Sequence, residues 1–111
     1  MIAGKGYDVN YVIDRENQEG LALAARLSEA HSGRIMEVLT TEPGLQLYTG
    51  NLLDGTIVGV GKRLYRQTDG VCFETHHYPD PPNKPSFPST VLRPGNVYQS
   101  ATVYRFAVAQ R

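Results

Sequence analysis

Apolar and polar residues trade places at every second position in several separate stretches of this chain, and that rhythm restricts the fold more than any other feature of the sequence. In GYDVNYVID, Tyr7, Val9, Tyr11 and Ile13 fall on one side and Asp8, Asn10, Val12 and Asp14 on the other, which is the period of a strand. Residues 34–41 alternate again, as do 71–78, where Val71, Phe73, Thr75 and His77 oppose Cys72, Glu74, His76 and Tyr78. Residues 98–108 follow suit, with Thr102, Tyr104, Phe106 and Val108 on one face. LALAARLSEA (21–30) has the Ala and Leu content of a helix, yet Leu21, Leu23, Ala25 and Leu27 also alternate. HSG at 31–33 is turn chemistry, so two strands joined by a hairpin account for both flanking segments together. EPG (42–44) reads as a second turn and LQLYT (45–49) as another strand, broken by Gly50 and Asn51. Asp54 to Gly70 reads as loop with a short strand at Ile57 to Val60. Several short strands with scarcely any helix signal predict an all-β chain, an antiparallel β-sandwich.

Six of the seven prolines fall between Pro79 and Pro94. Prolines lack the amide donors of a sheet interior, so this segment is expected to run extended along a surface. The 111 residues are expected to form one domain, 1–111, with a modest core. Eleven basic residues balance eleven acidic ones, which argues against a nucleic-acid partner or a basic membrane-binding face. No run has the length of a transmembrane helix, and MIAGKGYDVN lacks the regions of a signal peptide. Cys72 is the single cysteine; it excludes an internal disulfide framework, suits a reducing compartment, and is expected to be a small buried apolar residue. These features together predict a cytoplasmic protein.

Candidate chemistry centres on Glu74. Its alternation places it on a strand rather than in the proline loop, and apolar Phe73 and Cys72 before it with Tyr78 after it would desolvate it and make it a useful proton acceptor near neutrality. The plainer alternative is a solvated acid on an edge strand. A metal shell of Glu74, His76, His77 and Asp80 needs an irregular backbone, because His77 points to the opposite side and Asp80 lies beyond a proline. Asp8 and Asn10 project together from an otherwise aromatic and β-branched strand, where they could hydrogen-bond hydroxyl groups or simply face water. Gln46 and Tyr48 share a strand face and suit a sugar-like ligand, with ordinary sheet packing as the alternative. His31 reads as an exposed turn residue, and GVGKR (59–63) lacks the spacing of a phosphate loop.

Three ordered blocks, YDVNYV (7–12), SGRIMEVLTTEPGLQLYTGN (32–51) and FETHHYPDPPNKPSFPSTVLRPGNVY (73–98), resemble the aldose 1-epimerases, the galactose mutarotase family. The resemblance runs over nearly the whole chain but matches only the C-terminal third of a family enzyme. It implies part of the galactose mutarotase-like supersandwich, acting on a small aldose such as galactose or glucose, with no metal or organic cofactor. It implies that Glu74, before the Pro-Asp pair, is the general base at the sugar C1 hydroxyl, and that Asp8 of the Tyr-Asp-x-Asn block contacts sugar hydroxyls. The family's usual histidine after that aspartate is Val9 here, and its usual glutamine two residues after the glutamate is His76, which puts His76 among the sugar contacts. The family's catalytic histidines and a sugar-binding arginine lie upstream of the matched portion, so the resemblance implies a base without its acid. The expected partners are therefore the sugar and a complementing N-terminal segment, or else self-association through open strand edges. A non-catalytic sugar-binding module is the competing expectation.

Overall fold

The computed structural model describes residues 6–15 and 20–109. Eight strands follow in chain order: β1 (Asp8–Val12), β2 (Ala22–Ser28), β3 (Arg34–Thr40), β4 (Gly44–Tyr48), β5 (Asp54–Val58), β6 (Leu64–Arg66), β7 (Cys72–His76) and β8 (Thr102–Val108). Single 3-10 turns at Val60–Lys62 and Pro81–Asn83 are the helical elements among the described residues. Pairing is antiparallel throughout, in a sheet β1-β4-β7, a sheet β2-β3-β8 and the hairpin β5-β6. The expected all-β antiparallel architecture is present.

The ambiguous stretch at 21–30 is a strand because β3 supplies a full ladder partner, and the ladder outweighs the helix propensity of its alanines. A register shift between Leu23 and Ala25 marks a bulge in it. The connecting turn is organised by Glu29, whose carboxylate accepts from the Ser32 hydroxyl at 2.6 Å and from the amides of His31 and Ser32 at 2.7 and 2.6 Å. The Ser32 hydroxyl foremost, then those amides, hold the Glu29 carboxyl down at about 2. Gly33 closes the turn with φ at +70°. His31 is exposed there, as a turn residue should be.

Two expectations need correction. Residues 54–66 form a hairpin rather than a loop with one strand, since β5 pairs with β6 from Asp54↔Arg66 to Val58↔Leu64. The last strand begins at Thr102, not Tyr98. The four residues before it are drawn off by polar contacts, with Thr41 N donating to Ala101 O at 3.0 Å and the Tyr98 hydroxyl reaching Glu42.

The two three-stranded sheets face each other over a small core of Ile13, Val38 and Leu45, with Ala22, Ala24, Ala25, Met36 and Phe73 packed against it. Cross-strand partners share a face, so the register shows which residues look inward. Val38 stands opposite Ala25 and Tyr104, and the Tyr104 hydroxyl donates across the sandwich to Phe73 O at 3.4 Å. Thr102 meets Thr75 hydroxyl to hydroxyl at 2.6 Å. The next inward row, Leu27–Met36–Phe106, is covered only in its middle: Met36 packs against the core, whereas Leu27 is 41% exposed, Phe106 73%, and Val108 beyond it 67%. The chain exposes 8822 Å², whereas a compact 12.3 kDa monomer exposes about 6,100 Å². Its radius of gyration is 17.0 Å, against about 13 Å for a compact chain of this length.

Candidate functional site

The outer face of β1-β4-β7 is built by register alone. Asn10 pairs with Gln46 and Gln46 with Glu74; Asp8 pairs with Tyr48 and Tyr48 with Cys72; Val12 pairs with Gly44 and Gly44 with His76. Because directly paired residues project to the same side, Asp8, Asn10, Gln46, Tyr48, Glu74 and His76 form one polar patch on three adjacent strands. Asp8 and Gln46 are joined, with Gln46 Nε2 donating to Asp8 Oδ1 at 2.6 Å. The Tyr48 hydroxyl accepts from Leu52 N at 3.0 Å, so it props the 49–52 turn while its ring stays on the patch. Carboxylate, amide and aromatic groups in this grouping match the hydroxyls and apolar faces of a polyhydroxylated ligand.

Gly44 shapes the middle of the patch. A Cβ there would lie 3.0 Å from each of Asn10 Oδ1, His76 O and Tyr78 Cδ1, so the neighbours close in because the side chain is missing. Asn10 Oδ1 is enclosed against it and finds no hydrogen-bond partner among the described residues. Tyr78 is pinned from the proline-rich side by Phe87, edge to face with ring centres 5.1 Å apart.

Glu74 and Cys72 depart from expectation. Both are exposed, because β7 is the edge of its sheet and their shared face carries no second layer; Phe73 points to the opposite side, and Cys72, itself exposed, gives Glu74 no apolar cover. The metal reading of Glu74, His76, His77 and Asp80 does not assemble either. Glu74 and His76 project outward, His77 projects inward, and Asp80 is bound to the Asn83 amide at 2.6 Å. Among the described residues, no three His, Cys, Asp or Glu side chains gather as metal ligands do.

A cleft of about 630 Å³ lies elsewhere, at the end of β4 and β7. Arg15, Glu42, His77, Tyr78 and Tyr98 are among its lining residues, and Glu74, Asp8 and Gln46 are not. A patch on a single sheet face is too flat to enclose volume, whereas this cleft is walled by the segment 79–101 folding back. Its centre is Glu42, only 4% exposed. The Glu42 amide donates to Thr40 Oγ1 at 3.0 Å. Arg15 Nη2 donates to the carbonyls of Glu42 and, at 3.1 Å, Thr40. The Tyr98 hydroxyl donates to Glu42 Oε1, and His77 Nδ1 stands 2.8 Å from Oε2. That contact is at ion-pair distance, and Oε2 itself is buried. Burial opposes the charge on Glu42, yet the Ser100 and Tyr98 hydroxyls and the His77 imidazole outweigh it and hold the carboxyl below the usual glutamate range. Accepting that proton-rich contact in turn, Glu42 pushes the Tyr98 phenol up.

Sequence reasoning missed this cluster. Glu42 reads as an ordinary turn acid in EPG, and no local pattern announces its burial. His77 did leave a signal: alternation places it inward beside Phe73 and Thr75, and an inward imidazole must find a polar partner.

The family described as Aldose 1-epimerase matches residues 2–105. The chain is 44% identical over 104 residues to galactose mutarotase of Mus musculus and 43% identical to that of Homo sapiens, each alignment covering 94% of this chain and 30% of the relative. It is 38% identical to aldose 1-epimerase of Escherichia coli (strain K12), over 92% of this chain and 30% of the relative. The chain thus spans 30% of the length of these relatives.

Proposed function

The chain belongs to the aldose 1-epimerase family, and from that premise we propose that it carries the base-bearing wall of a site that interconverts the α and β anomers of hexoses such as galactose or glucose. Glu74 takes the proton from the C1 hydroxyl, the C1–O5 bond breaks as an acid protonates the ring oxygen, and the open aldehyde rotates about C1–C2. Reclosure from the other face, with the protons returned, gives the other anomer. Asp8 and Gln46 hold sugar hydroxyls through their joined side chains, Tyr48 offers its ring to an apolar sugar face, and His76 contacts the sugar beside the base. The observation that supports this reading best is the row Asn10–Gln46–Glu74 flanked by Asp8, a polar patch set by ladder register on three strands.

The acid is proposed to come from a complementing segment corresponding to the remaining length of the relatives. The exposed Leu27 and Phe106 of the inward row and the excess exposed surface support such a partner, since an open apolar layer is stabilised by being covered. A cytoplasmic setting is proposed on the lone, exposed thiol of Cys72.

Polarimetry of α-galactose and α-glucose with the chain, alone and with the complementing segment, tests the proposal. Acceleration of mutarotation that Glu74→Gln removes is the expected result. Acceleration untouched by Glu74→Gln overturns the assignment of the base, and sugar binding without acceleration in either setting would make the chain a binding module instead.

A further inference from the structure

We infer that Glu42, His77 and Tyr98 form a clamp that fixes the register of β7 against β4, so that His77 is a positioning residue for Glu74 rather than a ligand of sugar or metal. The functional part of this inference rests on the role proposed for Glu74; the structural part does not.

β7 is an edge strand held by five paired positions, Gly44↔His76 to Tyr48↔Cys72, and it has one neighbour to hold it. Edge strands with so short a ladder slip easily unless something outside the ladder specifies the register. A slip of two residues keeps every side chain on its face while carrying Glu74 about 7 Å along β4, out of line with Gln46. The clamp sits where such a slip begins. Glu42 lies two residues before β4 and His77 directly follows β7, so their 2.8 Å contact ties the two strands immediately beyond the last ladder pair. Glu42 itself cannot follow a moving strand: its amide is held by Thr40, its carbonyl by Arg15 and its Oε1 by Tyr98. Tyr98 also brings the segment after the prolines over the pair, its ring tilted 50° to that of His77 with centres 6.4 Å apart.

The buried oxygen makes the contact directional. Glu42 Oε2 is buried with His77 Nδ1 2.8 Å away, so withdrawing His77 strips a buried carboxylate oxygen of a close polar neighbour. The adjacent histidines therefore divide their work by the alternation of the strand. His76 faces the sugar patch, and His77 faces the interior and fixes where that patch stands.

The experiment uses the whole chain and two substitutions. His77→Ala removes the contact; His77→Asn keeps an N–H donor at the place of Nδ1. Amide hydrogen exchange and mutarotation are read together, with Glu74→Gln measured alongside. His77→Ala is expected to speed exchange of the β4 and β7 ladder amides at least tenfold while leaving the β2, β3 and β8 amides near their original rates. It should slow mutarotation about tenfold through kcat, and His77→Asn should restore both readouts to within about twofold. Unchanged β7 exchange in His77→Ala overturns the clamp, as does a uniform rise across both sheets or a failure of His77→Asn to restore the ladder. If His77→Ala does not fold, His77→Asn alone decides by whether β7 protection is kept. An unresponsive Glu74→Gln overturns the catalytic assignment and leaves the exchange result standing on its own.

Discussion

The two ends of this sandwich are made of the same strands and differ in nearly everything else. At one end, Ile13, Val38 and Leu45 are sealed between the sheets, Thr75 meets Thr102, and Glu42 is enclosed by Arg15, His77 and Tyr98. At the other, Leu27, Met36 and Phe106 form an inward row in which Met36 still reaches the core while Leu27 and Phe106 stand exposed. The β3-β8 ladder runs in unbroken register from the sealed end to the open one, so hydrogen-bonded ladders here do not depend on a core beneath them. The core depends on what is laid over the ladder, and the β1-β4-β7 sheet is wide enough to cover only half.

The sharpest way to break the comparison is to remove a large side chain from each end. Leu45→Ala should cost about 2–5 kcal/mol, read as a fall in the urea midpoint; a smaller loss would mean that the sealed end is less well packed than its burial implies. Glu74→Gln addresses the outer face instead. It should slow mutarotation about a hundredfold while moving stability by less than about 0.5 kcal/mol, because an exposed side chain on an edge strand supports little else.

Gly44→Ala joins the outer face to the sealed end. A Cβ 3.0 Å from Asn10, His76 and Tyr78 should cost about 1–3 kcal/mol and weaken sugar binding at once, whereas the same change at Gly20, with nothing within 4 Å, should not touch the site. Acid offers a gentler perturbation of the sealed end. Glu42 has its folded pKa lowered by the Ser100, Tyr98 and His77 contacts, so its stabilisation is full above the ordinary glutamate range and is lost as pH falls through the lowered value. Glu42→Gln should flatten that acid limb in a thermal-melt series across pH. The smallest effect belongs to the open end: Phe106→Ala should change the stability of the isolated chain by less than about 0.5 kcal/mol. The same variant should bind a complementing segment measurably more weakly, and a full-sized loss in the isolated chain would show that the open row is already covered.

Much of this was legible in the sequence because the pleat of a strand has a period of two. That period placed Glu74 with His76 and Asp8 with Asn10, and it turned His77 away from them, before any pairing was known. What it could not supply was registration between strands. Gln46 lies opposite both Asn10 and Glu74 only because the ladders align so, and pairing is a non-local property. Glu42 was illegible for a related reason: its burial is conferred by Tyr98, 56 residues later, and by an arginine whose guanidinium serves carbonyl groups rather than an acid. The expectation that Glu74 is shielded from water misled because Phe73, next to it in sequence, points to the other side of the strand, and nothing lies over the face that Glu74 shares with Cys72. The hairpin at 54–66 was passed over because glycines and basic residues obscured its alternation.

The opposed projection of His76 and His77 also sets a rule for how this gene can vary. Substitutions between Cys72 and His77 are felt one side chain at a time, but inserting or deleting a single codon there would exchange the two sides of the strand downstream of the lesion. A one-codon change ahead of Glu74 would turn the carboxylate toward Phe73's side and present an apolar surface on the outer face. Length in this segment is therefore far more constrained than composition, and the tolerated changes in length are expected to come in the loops that flank it, at 67–71 and beyond Pro79.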